Sequence, residues 1–161
     1  EQVQILPDET AGELADRLSR LGADRLFRTL AELDRLSLVP QRHEDATLAP
    51  RLKKADGLLD WREPLRSLVN RIRGCNPWPG GVAQTPAGRL LIWRASALDE
   101  PVTEPPGMLV RSKAGTLAIA TGEGLLLPRE VQPENRRAMS WEEFLRGARL
   151  AAGACFEGPV A

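Results

Sequence analysis

Tyrosine is missing from this chain altogether, and in 161 residues histidine occurs once, cysteine twice and methionine twice. The two cysteines, Cys75 and Cys155, lie far apart and give neither a metal-ligand spacing nor a disulfide framework. They read as thiols of a reducing, cytoplasmic setting. The lone histidine, His43, stands beside Glu44 and Asp45, but in a stretch without helical or strand period, where nothing would hold a base in register. It reads as a solvated surface residue. Paired carboxylates in separated environments are missing too, so no catalytic residue and no metal site is expected. Gly122-Glu123-Gly124 has too few glycines and no following helix for a phosphate loop. No apolar run approaches the ~20 residues that cross a bilayer, and no signal peptide is visible. The opening Glu1-Gln2-Val3-Gln4-Ile5-Leu6 looks like the interior of a protein, so the chain reads as a fragment.

What is present suits one core, or one small domain with an appendage. Aromatics make up only 4% of the chain, so its four tryptophans weigh heavily in packing. The formal net charge of zero conceals two unequal halves. Residues 1–35 hold five Arg against eight Asp or Glu, whereas residues 51–94 hold seven Arg and two Lys against three acids. That basic middle is a candidate anion-binding surface, weighed against the plainer reading of arginines that merely solvate the exterior.

Residues 3–6 read as a short strand stopped by Pro7. Thr10 followed by Glu13 is a capping box, opening a helix with Leu14, Leu18 and Leu21 on one face. Gly22 is expected to break it, and a second helix carries Leu26, Leu30 and Leu33. Residues 36–55 have two prolines, mixed charge and no period, and read as an extended linker closing on Arg51, Lys53 and Lys54. From residue 82 the pattern is β. Residues 82–85 and 89–97 make a hairpin about Pro86-Ala87-Gly88, and residues 108–112, 116–120 and 125–131 add three strands with glycine-bearing turns. Pro128 marks an edge or a bulge. Ser140 and Glu143 form a second capping box, with Met139 and Phe144 as its hydrophobic staple. The helix they open is expected to run through Ala152, and the chain beyond Gly153 to fray. Five or six short strands with one opening helix fit a small barrel.

The helical and β patterns join at Arg71-Ile72-Arg73-Gly74-Cys75-Asn76-Pro77-Trp78-Pro79-Gly80-Gly81. Leu65, Leu68, Val69 and Ile72 recur at helical spacing, with Pro64 in the first turn and Gly74 as the stop. Pro77 and Pro79 fix two φ angles and bias their neighbours toward extended geometry, which makes a rigid corner. Trp78 is therefore expected to pack as an anchor between the helix and the barrel, as is Trp61 nearby. Arg62, Arg66, Asn70 and Arg73 share one stripe of the helix.

Asn76-Pro77-Trp78-Pro79 after a helix reading Leu-x-x-x-Ile-Arg, with Leu59-Asp60-Trp61 upstream, resembles the C-terminal domain of methionyl-tRNA formyltransferases. Further stretches fit in order: Asp8-Glu9-Thr10-Ala11-Gly12-Glu13-Leu14, Ala46-Thr47-Leu48-Ala49-Pro50-Arg51-Leu52, Trp93-Arg94-Ala95, Pro106-Gly107, Ala120-Thr121-Gly122-Glu123-Gly124 and Arg137-Ala138-Met139-Ser140. The resemblance implies an α+β fold, mainly β: a small OB-like barrel with an opening helix and a C-terminal helix, preceded by a helical segment from another domain. Residues 1–35 would close the catalytic domain, 36–55 link, and 56–161 form the C-terminal domain. The whole enzyme, by this resemblance, formylates methionyl initiator tRNA from 10-formyltetrahydrofolate in translation initiation. Its Asn, His and Asp catalytic residues and its folate loop belong to the missing N-terminal domain. This chain would then hold no cofactor, be inactive alone, and position tRNA through phosphates. The candidates for that role are Arg51, Lys53, Lys54, Arg66, Arg73 and Arg94, with Trp61, Asn76, Pro77, Trp78 and Pro79 as structural residues. The alternative is a structural appendage of a related formyltransferase acting on an amino sugar or hydrolysing the folate cofactor.

Overall fold

A computed structural model describes residues 2–37 and 39–158 of the chain. Residues 2–10 form no strand, because no neighbouring strand is there to pair with them. The Leu6 N–H turns instead to Glu9 Oε2 (3.1 Å), and the Gln4 carbonyl accepts from Arg17 (2.8 Å). Helix α1 (Ala11–Ala31) starts at the capping box: the Thr10 hydroxyl accepts the Glu13 N–H (3.3 Å) and Glu13 Oε2 accepts the Thr10 N–H (2.9 Å). It runs unbroken through Gly22, so the two expected helices are one. A glycine costs a helix only about 1 kcal/mol relative to alanine, and the leucines, arginines and alanines around it outweigh that. No residue of α1 is buried. The expected linker, residues 36–55, is exposed where described and carries one short 3-10 turn, His43–Asp45, before a second at Lys54–Gly57.

Helix α2 (Leu65–Gly74) buries Leu65, Leu68 and Ile72 along one face. Pro64 stands just outside it, and its carbonyl accepts the Ser67 and Leu68 N–H groups (2.9 and 3.2 Å). Gly74 is the last helical residue, and the Cys75 N–H closes the final turn on the Arg71 carbonyl (2.8 Å). Strands β1 (Gly81–Thr85), β2 (Gly88–Leu98), β3 (Leu109–Arg111), β4 (Leu117–Ala120), β5 (Leu125–Pro133) and β6 (Met139–Ser140) form one antiparallel sheet. Its order is β1-β2-β5-β4-β3, with β6 on β5. The β1–β2 hairpin is closed by Thr85, whose buried hydroxyl accepts the Ala87 N–H (3.0 Å) and donates to the Gly88 carbonyl (2.9 Å). The β2–β5 pairing slips register on either side of Arg94, which curls the sheet. Pro128 pairs with Ala95 at the second slip, so the proline marks a bulge on a central strand. Leu90, Ile92, Ile119, Leu126 and Val131 form one core with Leu68 and Ile72 of α2.

Helix α3 (Trp141–Ala148) adds Trp141 and Phe144 to that core, their rings stacked 5.6 Å apart. The Ser140 hydroxyl caps it by accepting the Glu143 N–H (3.2 Å), but the Glu143 carboxylate turns to Arg137 (2.6 Å), so the second box is half made. The helix stops at Ala148, with Arg149 left-handed at φ 53, and does not reach Ala152. Beyond Gly153 the chain is held in place, against the expected fraying. Gly153 donates to the Leu109 carbonyl, Leu109 to the Ala154 carbonyl and Phe156 to the Gly107 carbonyl, each at 2.8 Å, and Glu157 donates to the Gln84 carbonyl at 2.9 Å. Cys155 thus pairs with Met108 beside β3, and Glu157 with Gln84 on β1, so this segment joins the two outer strands and closes the barrel. The anchor is Phe156, fully buried, with its ring edge-on to Trp61 (6.2 Å) and Trp141 (6.0 Å). Burying a phenylalanine contributes about 1.5–3 kcal/mol, enough to order a short segment otherwise rich in alanine and glycine. The fraying expected of residues 159–161 lies outside the described residues.

Candidate nucleic-acid interface

The turn after α2 is fixed from several sides. The Asn76 side-chain amide donates to the Trp93 carbonyl on β2 (2.9 Å), and the Asn76 carbonyl accepts the Gly12 N–H of α1 (2.9 Å). The Gly80 N–H returns to the Cys75 carbonyl (2.8 Å). Both X-Pro bonds, Asn76-Pro77 and Trp78-Pro79, are cis. Gly80 has φ +83, and a Cβ there would stand 2.8 Å from Leu91 and 3.0 Å from the Trp93 ring. A Cβ on Gly57 would stand 2.1 Å from the Gly80 carbonyl oxygen. Glycine at both positions lets the Lys54–Gly57 turn pack directly on Pro79 and Gly80.

Trp61 is buried, and its Nε1 donates to the Glu157 carbonyl (3.3 Å). Trp78 is not the packed anchor expected of it: its side chain stands out, leaving the residue 52% exposed. The space beneath the turn is taken by Leu91 and the Trp93 ring, as the close approach of Gly80 to both makes plain.

The basic candidates separate into two groups. Arg73 and Arg94 line a cleft of ≈ 230 Å³ between the N-terminal segment and the barrel. Arg73 donates there to the Leu6 and Pro7 carbonyls (3.1 Å each), and Arg94 pairs with Glu13 and, at 3.8 Å, with Glu130. Both therefore hold the start of α1 on the barrel. A third arginine of this cleft, Arg129, is absent from the residues expected there. Its Nε donates to Ser96 Oγ (3.0 Å), and no carboxylate pairs with it among the described residues. The register slip beside Pro128 leaves it without a cross-strand partner. The proline is the one signal in the sequence for that displacement.

Arg51, Lys53, Lys54 and Arg66 make up the other group: all are exposed, and none makes an ion pair among the described residues. None lines the cleft. The lysine-bearing turn lies along the end of α2, where Arg71 donates to the Leu58 carbonyl (2.9 Å) and the Cys75 thiol to the Asp56 carbonyl (3.6 Å). Arg66 is on the outer side of α2, earlier in the helix. Arg62 precedes α2 and is bound to Asp60 (2.6 Å), which shortens the expected arginine stripe.

The acids that hold arginines are themselves held ionised. Glu13 is pushed down to about 2 by the Thr10 N–H, the Arg94 guanidinium and the Thr10 hydroxyl, and Asp60 to about 2 by the Arg62 side chain and N–H. His43 sits exposed on its 3-10 turn, where Glu44 and Asp45 pair with Arg42 (3.1 and 3.3 Å). Among the described residues no group of His, Cys, Asp and Glu has the arrangement to hold a metal, and no helix is long and apolar enough to cross a membrane.

The family model described as "Formyl transferase, C-terminal domain" matches residues 51–149. The chain belongs to the formyl transferase C-terminal domain family. The matched domain runs from the basic turn through α3, and leaves α1 and the closing segment outside. Among curated relatives, the methionyl-tRNA formyltransferase of Symbiobacterium thermophilum is 40% identical over 164 residues, covering 99% of this chain and 50% of that protein. That of Solibacter usitatus is 42% identical over 149 residues, covering 91% and 47%. The chain thus spans about half the length of the curated relatives it matches. Among solved structures, a variant of HypX from Aquifex aeolicus superposes with a TM-score of 0.64 at 13% identity, over 91% of this chain and 27% of that one. HypX in complex with tetrahydrofolic acid gives 0.56 at 13% identity, over 79% and 23%. At such identity the likeness shows a shared fold over about a quarter of HypX, and it goes no further.

Proposed function

We propose that this chain is the tRNA-positioning C-terminal portion of a methionyl-tRNA formyltransferase. The observation that carries the reading is that Arg51, Lys53, Lys54 and Arg66, on α2 and in or just before the turn packed against it, are exposed and make no ion pair among the described residues, in a domain whose curated relatives bear that name. Such cations attract phosphates without reading sequence, so they position a nucleic acid and leave its selection to other groups. A-form RNA suits this, because it offers side chains mainly phosphates, 2′-hydroxyls and shape. The whole protein, on this reading, transfers a formyl group from 10-formyltetrahydrofolate to methionyl initiator tRNA in the cytoplasm. The catalytic groups and the folate site belong to the half of the relatives that this chain does not span. Residues 1–35 then close the catalytic domain, which accounts for the uncovered leucines of α1, and residues 36–55 link it to a C-terminal domain at 56–161. Arg73 and Arg94 serve chiefly to set the angle between the two.

The test is tRNA binding by the 161-residue chain over a range of salt. With three or four phosphates neutralised, affinity is expected to be micromolar or weaker, with a log–log salt slope of about −2 to −3.5. Reversing Lys53 and Lys54 to Glu weakens binding to every tRNA alike and flattens the slope. Binding that ignores ionic strength, or that survives reversal of all four cations, favours instead a structural appendage on a formyltransferase that acts on an amino sugar or hydrolyses its folate.

A further inference from the structure

Three of the four tryptophans have their indole N–H groups satisfied within the fold: Trp61 on the Glu157 carbonyl (3.3 Å), Trp93 on Gln132 Oε1 (3.0 Å) and Trp141 on the Leu117 carbonyl (2.7 Å). Trp78 differs on two counts. It is half exposed, and its N–H finds no partner among the described residues. An aromatic ring on a loose loop would mean little, because ordering it on binding costs entropy. Here the backbone on both sides is already fixed, by the Asn76 amide on Trp93, the Asn76 carbonyl on Gly12, and Gly80 on Cys75.

The surroundings indicate what such a ring would meet. The Lys54–Gly57 turn abuts Pro79 and Gly80, and at ~2 Å rise per residue Lys54 stands roughly 6 Å along it from Gly57. Lys53 and Lys54 are thus near neighbours of the turn, exposed and without carboxylate partners among the described residues. Protein interface cores favour tryptophan but are depleted in lysine. A single strand of nucleic acid wants both, cations for its phosphates and an aromatic face for its bases. We infer that Trp78, on the fixed turn beside Lys53 and Lys54, is a stacking platform for one unpaired base of the bound RNA. Its Nε1 is free to donate to the base edge or to an adjacent phosphate. The inference rests on the tRNA-positioning reading and adds to it a contact that is not electrostatic.

The experiment compares the 161-residue chain with its Trp78→Ala and Trp78→Phe variants, using an eight-nucleotide single-stranded RNA, the matching duplex and whole tRNA. Trp78→Ala should weaken binding of the single strand by about 5- to 150-fold, the range for loss of one stacked base. Its salt slope should stay that of the wild type, because stacking releases no counterions. Trp78→Phe should keep most of the affinity, and the RNA-induced quenching of tryptophan emission should vanish in it. Duplex binding should be indifferent to either change. Unchanged single-strand affinity in Trp78→Ala, with salt-dependent binding intact, overturns the platform and leaves the phosphate reading standing. A lowered melting temperature with affinity unchanged also overturns it, by making Trp78 a packing residue. Should the wild type bind no RNA at low salt, the phosphate reading falls and the platform with it.

Discussion

Glu13 serves two elements at once: one carboxylate oxygen closes the capping box on Thr10, and the other takes the Arg94 guanidinium from β2. Its folded pKa of about 2 lies below the ordinary 4.5, so the unfolded chain binds the proton more readily. The stabilisation is therefore whole above pH 4.5 and disappears as the pH falls toward 2. We expect the Glu13 carboxyl to titrate near 2 by NMR, and Glu13→Gln to remove this pH dependence while speeding amide exchange at Gly12. A midpoint at the usual carboxylate value would mean that no such clamp operates in solution. Half of this arrangement is legible in the sequence. Thr10 and Glu13 are three residues apart and announce a helix start by spacing alone. Arg94 lies 81 residues further on, and nothing local to it names Glu13 as a partner. The same limit hides Arg129, and it makes Trp78 rather than Trp93 look like the ring that packs beneath the turn.

At the scale of elements, the β pattern is legible nearly strand for strand, because alternation and turn residues are local signals. Only β6, two residues long, escapes. Helix α1 is divided in two only when Gly22 is given more weight than its propensity warrants. Its outer half leaves Leu26, Phe27 and Leu30 more than half exposed, as is Leu33 just beyond it, and its hold on the barrel is polar: Gly12 on Asn76, Arg73 on Leu6 and Pro7, and Glu13 on Arg94. Removing residues 1–35 should therefore leave a barrel that still unfolds cooperatively by calorimetry, with a modestly lower melting temperature and less self-association. A broad, uncooperative transition after the deletion would place α1 inside the domain.

For the molecule as a whole, the segment that joins β1 to the neighbourhood of β3 has a consequence for the order of events in folding. The Trp61 to Glu157 hydrogen bond spans 96 residues of chain, a loop whose closure is opposed by entropy until most of the intervening structure exists. The hairpins and α2 rest on much shorter loops and can form first. Contacts made after the transition state govern the rate of leaving the native state and barely touch the rate of reaching it. Phe156→Ala, which empties a fully buried site between two tryptophans, should lose about 3–5 kcal/mol of stability. In stopped-flow experiments that loss should appear almost entirely on the unfolding limb of the chevron, as acceleration of roughly a hundredfold or more, with the folding limb within about twofold of the wild type. A slowed folding limb would instead put the closing segment in the nucleus. On the expected outcome, the barrel's lifetime is set by its last-formed contact, and Phe156 controls how long the domain stays shut far more than how soon it forms.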